Sequence, residues 1–190
     1  MSEGAQTVSA TESTSAVAEL SDKAIALMKP DYHPREYVRL LADNKLFPDA
    51  VRFLAHALPK REAVWWAWVC ARRANPEPAP AAKAVLAATE AWIAQPTDDN
   101  GRTAHAAATD AGLGTPAGCA GLAAFFSGSS LGPTHIQPIP PGEYLYAKAV
   151  SGAVIFAAIA TEPEKGPEKF NNFLSQGLEI TVKIKLWEPK

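Results

Sequence analysis

Cysteine is scarce in this 190-residue chain: there are two, Cys70 and Cys119, each set among apolar residues at helical spacing. Two thiols so far apart make no disulfide framework, so burial has to hold the fold together. Charge of one sign is missing too. Lys and Arg number 18 against 20 Asp and Glu, a formal net charge of −2, with a pI near 6.1. That leaves no electrostatic footprint for nucleic acid or for an anionic membrane. Long apolar runs are absent. The most apolar stretch, 147–160, is broken by Lys148, Ser151 and Gly152 and is shorter than the roughly 20 residues that cross a bilayer, so it reads as a buried helix. The first twenty residues hold Glu3, Glu12 and Glu19 but neither Lys nor Arg, and no apolar run. That argues against a secretory signal and for a cytoplasmic protein.

What is abundant is alanine: 37 residues, against 40 Leu, Ile, Val and Phe combined. A core of that composition is built from closely approaching helices with small contacts. The length suits one domain, which can bury roughly 70% of its unfolded surface and needs no metal or disulfide.

Residues 1–20, rich in Ser, Thr, Ala and Glu without sustained periodicity, are expected to be a disordered tail. A short helix can begin at Ser21. Proline then recurs where a helix would start, because the first turn needs no backbone donor there: Pro34, Pro48, Pro59, Pro80, Pro116, Pro141 and Pro167. Between these marks the apolar spacing is helical, as in Tyr37, Val38 and Leu41, or Val51, Phe53, Leu54 and Leu58. Thr97 or Asp98 can cap a helix whose stripe is Ala104, Ala107, Ala108 and Ala111, ended by Gly112 and Gly114. The proline-rich connection 127–142 predicts an exposed, extended loop suited to docking. A helix from Glu168 stops at Gly177. Beyond it Ile180, Val182, Ile184 and Leu186 alternate with Thr181, Lys183, Lys185 and Trp187, which predicts a lone strand. The proline marks from Pro59 onward fall 21, 36, 25 and 26 residues apart, so no fixed repeat is present. The expected fold is all-α: an irregular array of about seven or eight short to medium helices over 21–178, followed by an extended segment, 179–190.

The helix after Pro59 carries the densest chemistry. Arg61, Trp65, Trp68 and Arg72 share one side of it, and Glu62, Trp66, Val69 and Arg73 another. One reading is a central helix packed on several sides, with arginines laid over tryptophan faces. The other is a partner groove, since Trp and Arg dominate interface hot spots. The glycines of 111–121 lead into a helix, the place where backbone donors can cradle a phosphate. Their spacing misses the dinucleotide pattern, no strand precedes them and no P-loop lysine follows, so a helix end followed by a cap and close packing accounts for them. His33, His56, His105 and His135 fall in different elements and none has ligand spacing, so no metal is expected. Cys70, between Trp and Ala residues, reads as a small hydrophobe rather than a nucleophile for His56. No serine-hydrolase elbow, zincin or kinase pattern occurs. Nothing in the chain asks for a cofactor, and no enzyme activity is expected.

The run from Leu46 to Arg73, Leu-Phe-Pro-Asp-Ala-Val-Arg-Phe-Leu-Ala-His-Ala-Leu-Pro-Lys-Arg-Glu-Ala-Val-Trp-Trp-Ala-Trp-Val-Cys-Ala-Arg-Arg, resembles an uncharacterised bacterial domain family. Gly-Leu-Gly-Thr-Pro-Ala-Gly-Cys-Ala, 112–120, is similar to the same family, and the likeness extends over about 40–178. Some members are encoded near type VI secretion spike and adaptor components, an association that implies no catalytic residues. The resemblance implies a non-enzymatic adaptor or chaperone that loads an effector onto a contractile spike. The alternative is a small-ligand binder or enzyme with a pocket beside the Trp-rich helix. The expected partner-binding residues are Arg61, Trp65, Trp68 and Arg72 on that helix, and Ile180, Val182, Ile184 and Leu186 on the terminal strand. The latter would pair with a partner's sheet edge or a second copy, or else lie over the chain's own helices. No nucleic acid and no membrane insertion are expected.

Overall fold

The apolar spacing produces helices throughout. The computed structural model describes residues 9–188 apart from 30 and 134, and among these it has ten α-helices, one 3-10 turn and no strand. They are α1 (Ala10–Val17), α2 (Asp22–Leu27), α3 (Pro34–Asp43), α4 (Phe47–Ala57), α5 (Lys60–Ala74), α6 (Pro80–Ala94), α7 (Asp98–Ala111), α8 (Pro116–Phe126), α9 (Leu145–Ile159) and α10 (Gly166–Lys183). Prolines do open helices: Pro34, Pro80 and Pro116 at the first residue, Pro48 and Pro167 at the second, and Pro59 just before the first. Pro141 is the exception, lying four residues ahead of α9.

The centre is α9, apolar on nearly every side, which buries Tyr146, Ala147, Val150, Ala153, Val154, Ala157 and Ala158. Around it pack α4, α5, α8 and α10. The alanine-rich hairpin α6–α7 lies outside α8, where Ala104 and Ala108 are fully buried. Small residues permit that approach: a Cβ on Gly121 of α8 would sit 2.9 Å from the Ala104 carbonyl oxygen on α7.

Two expectations fail at the ends of the chain. Residues 10–17 are not a tail but α1; only residues 1–8 of that segment lie outside the described residues. The helix starts on a capping box. The Ser9 hydroxyl accepts from the Glu12 N–H (3.2 Å) and the Glu12 carboxylate from the Ser9 N–H (2.9 Å). Thr11 Oγ1 then donates to the Tyr32 carbonyl (2.6 Å), while the buried Asp49 accepts from both the N–H and the hydroxyl of Ser21 (2.8 and 3.0 Å). These bonds fasten α1 and α2 to α3 and α4.

At the other end the segment from 179 onward is no strand. α10 runs through Gly177 to Lys183, burying Phe170, Phe173, Leu174, Gly177, Ile180 and Thr181 at helical spacing. Gly177 is interior because only hydrogen fits there: a Cβ would lie 2.6 Å from Leu54 Cδ2 and 2.9 Å from Trp66 Cε2. The helix stops at Lys185, in the left-handed region at φ 52°. The Leu186 N–H returns to the Thr181 carbonyl (3.0 Å) and the Lys185 N–H to that of Val182 (3.1 Å), a Schellman ending. The alternation of Ile and Lys was therefore a poor guide, since an isolated strand would leave its backbone unpaired whereas a helix satisfies its own.

The connection 127–142 is exposed over most of its length, with Thr134 outside the described residues. It is also anchored. Asp98 accepts from the N–H and hydroxyl of Ser129, Ser130 Oγ accepts from the N–H groups of Gly132 (3.1 Å) and Ile139 (3.0 Å), and the Leu131 N–H donates to the Ile139 carbonyl (2.8 Å).

His56 supplies a pH-dependent element of stability. Its Nδ1 lies 2.8 Å from the Arg52 carbonyl, which can only accept, so the proton is on Nδ1, and the buried Nε2 has no partner among the described residues. Burial lowers its pKa below the ordinary 6.5. The sign follows from linkage: the unfolded imidazole takes up a proton first as pH falls, so stability present above about pH 6.5 is lost on acidification through the depressed folded value. Urea titrations from pH 8 to 5 should show that decline, and His56→Gln should flatten it.

Candidate functional site

α5 presents three tryptophans in three environments, set by which helix crosses each. Trp66 is fully buried, and its Nε1 donates to the Phe173 carbonyl of α10 at 2.8 Å. Trp68 is half-buried against α6, with its Nε1 donating to the Leu86 carbonyl (2.9 Å) and the Arg72 guanidinium over its ring at 5.2 Å. Trp65 is half-buried beside α10, and its indole N–H has no hydrogen-bond partner among the described residues.

Trp65 stands between two adjoining cavities. One, of about 290 Å³, is lined by Arg61, Glu62, Trp65, Ile93 and Ile184. The other, of about 220 Å³, lies between Trp65, Val69 and Arg73 of α5 and Gln176, Ile180 and Lys183 of α10. Together they form a shallow groove with an aromatic and aliphatic floor and charges of both signs at its rim. Arg61 is held in place by Nε donation to the Ile93 carbonyl (2.7 Å) at the end of α6.

Of the residues expected to bind a partner, the fold brings Arg61, Trp65, Ile180 and Ile184 onto this one groove. Trp68 turns to α6 instead, and the exposed Arg72 lies over its ring as a cation laid on an aromatic face. Val182 is 49% exposed but turns toward α3, and Leu186 packs half-buried against the main core. Val69, Arg73 and Lys183 also line the groove, though they were not among the expected partner-binding residues. The first two are legible as the four-residue ridge Arg61–Trp65–Val69–Arg73; Lys183 required knowing that α10 continues past Gly177.

The other candidates have structural roles. Cys70 is wholly buried, and burial pushes its thiol well above its ordinary value, away from thiolate chemistry. In the glycine-rich turn Thr115 does the work of a cap: its hydroxyl accepts from the Gly118 N–H (3.0 Å) and donates to the Gly112 carbonyl (2.8 Å), with Gly112 at φ 96°. His33 caps α3, and His105 stacks on Phe125 at 4.3 Å. Among the described residues no single helix is long and apolar enough to cross a membrane.

Fold and groove together define an all-helical domain wound around an apolar central helix, with a tryptophan-bearing groove on one side. The chain belongs to a family of unknown function, DUF6931, whose profile matches residues 37–181. That span contains both segments that carried the resemblance and leaves α1 and α2 outside it. No curated protein and no solved structure matches the chain.

Proposed function

We propose that the protein is a non-enzymatic, protein-binding adaptor or chaperone that uses the α5–α10 groove. The observation that carries this reading is Trp65: a half-exposed ring over aliphatic residues, with a free indole N–H and arginines one and two turns away. A large amphipathic ring flanked by Arg is the composition of an interface hot spot. A component or effector of a contractile type VI secretion spike is the partner we favour, on the gene neighbourhood that the resemblance implies, with the interaction made in the cytoplasm. Neither nucleic acid nor a membrane enters this reading.

Affinity purification of the full chain from native cells, with the products of neighbouring genes followed individually, tests it. One of those products should be retained stoichiometrically, and Trp65→Ala should weaken retention by about 2 kcal/mol or more, the loss expected of a hot-spot tryptophan, with unchanged melting. Recovery of no such protein, together with a tightly held metabolite, would sink the adaptor in favour of a ligand binder. That second reading has one observation behind it: an alanine-lined cleft of about 300 Å³ at the end of α5, between Ala71, Ala74, Ala82, Leu86 and Ala117.

A further inference from the structure

The groove beside Trp65 carries hydrogen-bonding groups that its own walls leave unused. The Trp65 indole N–H can only donate, and among the described residues nothing accepts from it. Gln176 of α10 lines the cavity of about 220 Å³, and its Oε1 is buried without a partner among the described residues. A native fold seldom leaves such a group unmet. The walls around both groups are helices, whose backbone is spent on itself, so side chains are all that the groove can offer. The Trp65 ring divides the groove into two pockets, with Ile93 and Ile184 on one side and Val69 and Ile180 on the other. Its lining on α5 runs from Arg61 to Arg73, about 18 Å of helix, a length that about five or six extended residues cover. Arg61, Glu62, Arg73, Glu179 and Lys183 put both signs on the rim, so charge does not choose the occupant.

We propose that the occupant of this groove is an extended, proline-containing segment of the partner protein, an inference that rests on the adaptor reading and names what the adaptor grips. The unused groups select it. A partner helix brings carbonyls already bonded within it, and leaves the Trp65 N–H unmet by its backbone. A partner strand brings an N–H at every residue, for which helical walls have no row of acceptors. A proline-containing segment has free carbonyls throughout and few N–H groups. One of its carbonyls accepts from Trp65 Nε1, and a remaining N–H donates to Gln176 Oε1. Proline rings or aliphatic side chains before and after that point fill the two pockets and lie against the faces of the indole, the mode by which aromatic-lined grooves read such segments. Because proline fixes the segment in advance, little chain entropy is lost on docking.

Two display libraries screened against the full chain test this, one of linear nine-residue peptides and one of helix faces randomised on a stable helical scaffold. The linear library should yield binders that carry proline beside an aliphatic residue. Isothermal titration of the best synthetic peptide should then show Trp65→Phe weakening it by about five- to tenfold, the loss of one hydrogen bond with the ring kept. Trp65→Ala should weaken it by about thirtyfold or more, and Gln176→Leu by about fivefold. Arg72→Ala, over Trp68 and outside the groove, should leave it unchanged. Trp65 and Gln176 are only partly buried, so melting should not move in these variants. Binders that come only from the helical library and are lost in Trp65→Ala overturn the extended segment and leave the adaptor standing. No binder from either library, or a linear peptide indifferent to Trp65→Phe, overturns it too, whereas the adaptor reading falls only if no neighbouring gene product is retained.

Discussion

Trp66→Ala is expected to destabilise the protein by about 3–5 kcal/mol, the range for removing a large aromatic from a close-packed core. Trp66 is completely buried in the main cluster, its ring lies against Gly177 of α10, and its N–H is spent on the Phe173 carbonyl. Truncation leaves a cavity between α5 and α10 and an acceptor without its donor. Against a total stability of about 5–15 kcal/mol such a loss brings the chain close to unfolding. Trp66→Phe refills most of the space and forfeits the hydrogen bond, about 1 kcal/mol, with a smaller further loss from the residual cavity. Urea denaturation followed by circular dichroism should give wild type, Phe and Ala in that order. An alanine variant as stable as wild type would show that the ring is not part of the core.

Gly118→Ala should be nearly as damaging, although it adds one methyl group and improves helix propensity. A Cβ at Gly118 would fall 2.2 Å from the Gly112 carbonyl oxygen and 3.0 Å from the Leu113 Cα. Those are backbone atoms and cannot rotate aside. The first turn of α8 would have to lift off the end of α7, taking the Thr115 cap with it. We expect a net loss of about 2–3 kcal/mol, the upper part of the overpacking range, after the gain of roughly 1 kcal/mol in propensity. Gly114, two residues after Gly112, has nothing within 4 Å of a Cβ, and Gly114→Ala should shift stability by no more than about 0.5 kcal/mol. Thermal melts of the two variants side by side test the contrast.

Much of this was written locally along the chain. Prolines near helix starts, the Thr97 and Thr115 caps, the Gly112 stop and the apolar spacing of α3, α4 and α9 are short-range chemistry, readable because each acts within a turn or so of helix. Ser9-Ala-Thr-Glu12 was equally readable as a capping box, and a low-complexity composition hid it. The family, too, lies in the order of residues.

Other features depended on which helix passes which. Gly177 has the chemistry of a stop, and it stands inside α10 because Trp66, more than a hundred residues earlier, occupies the space a side chain would need. Lys185 ends the helix in its place. The same holds for the candidate site. Arg61, Trp65, Trp68 and Arg72 share one side of α5 by angle alone, yet α6 takes up the Trp68 indole N–H, with the exposed Arg72 over that ring, while the Trp65 ring borders open cavities beside α10. Helical periodicity determined the faces of α5, because it depends on the backbone alone. Which of those faces meets solvent was decided by the packing of α6 and α10, which no local pattern in the chain records.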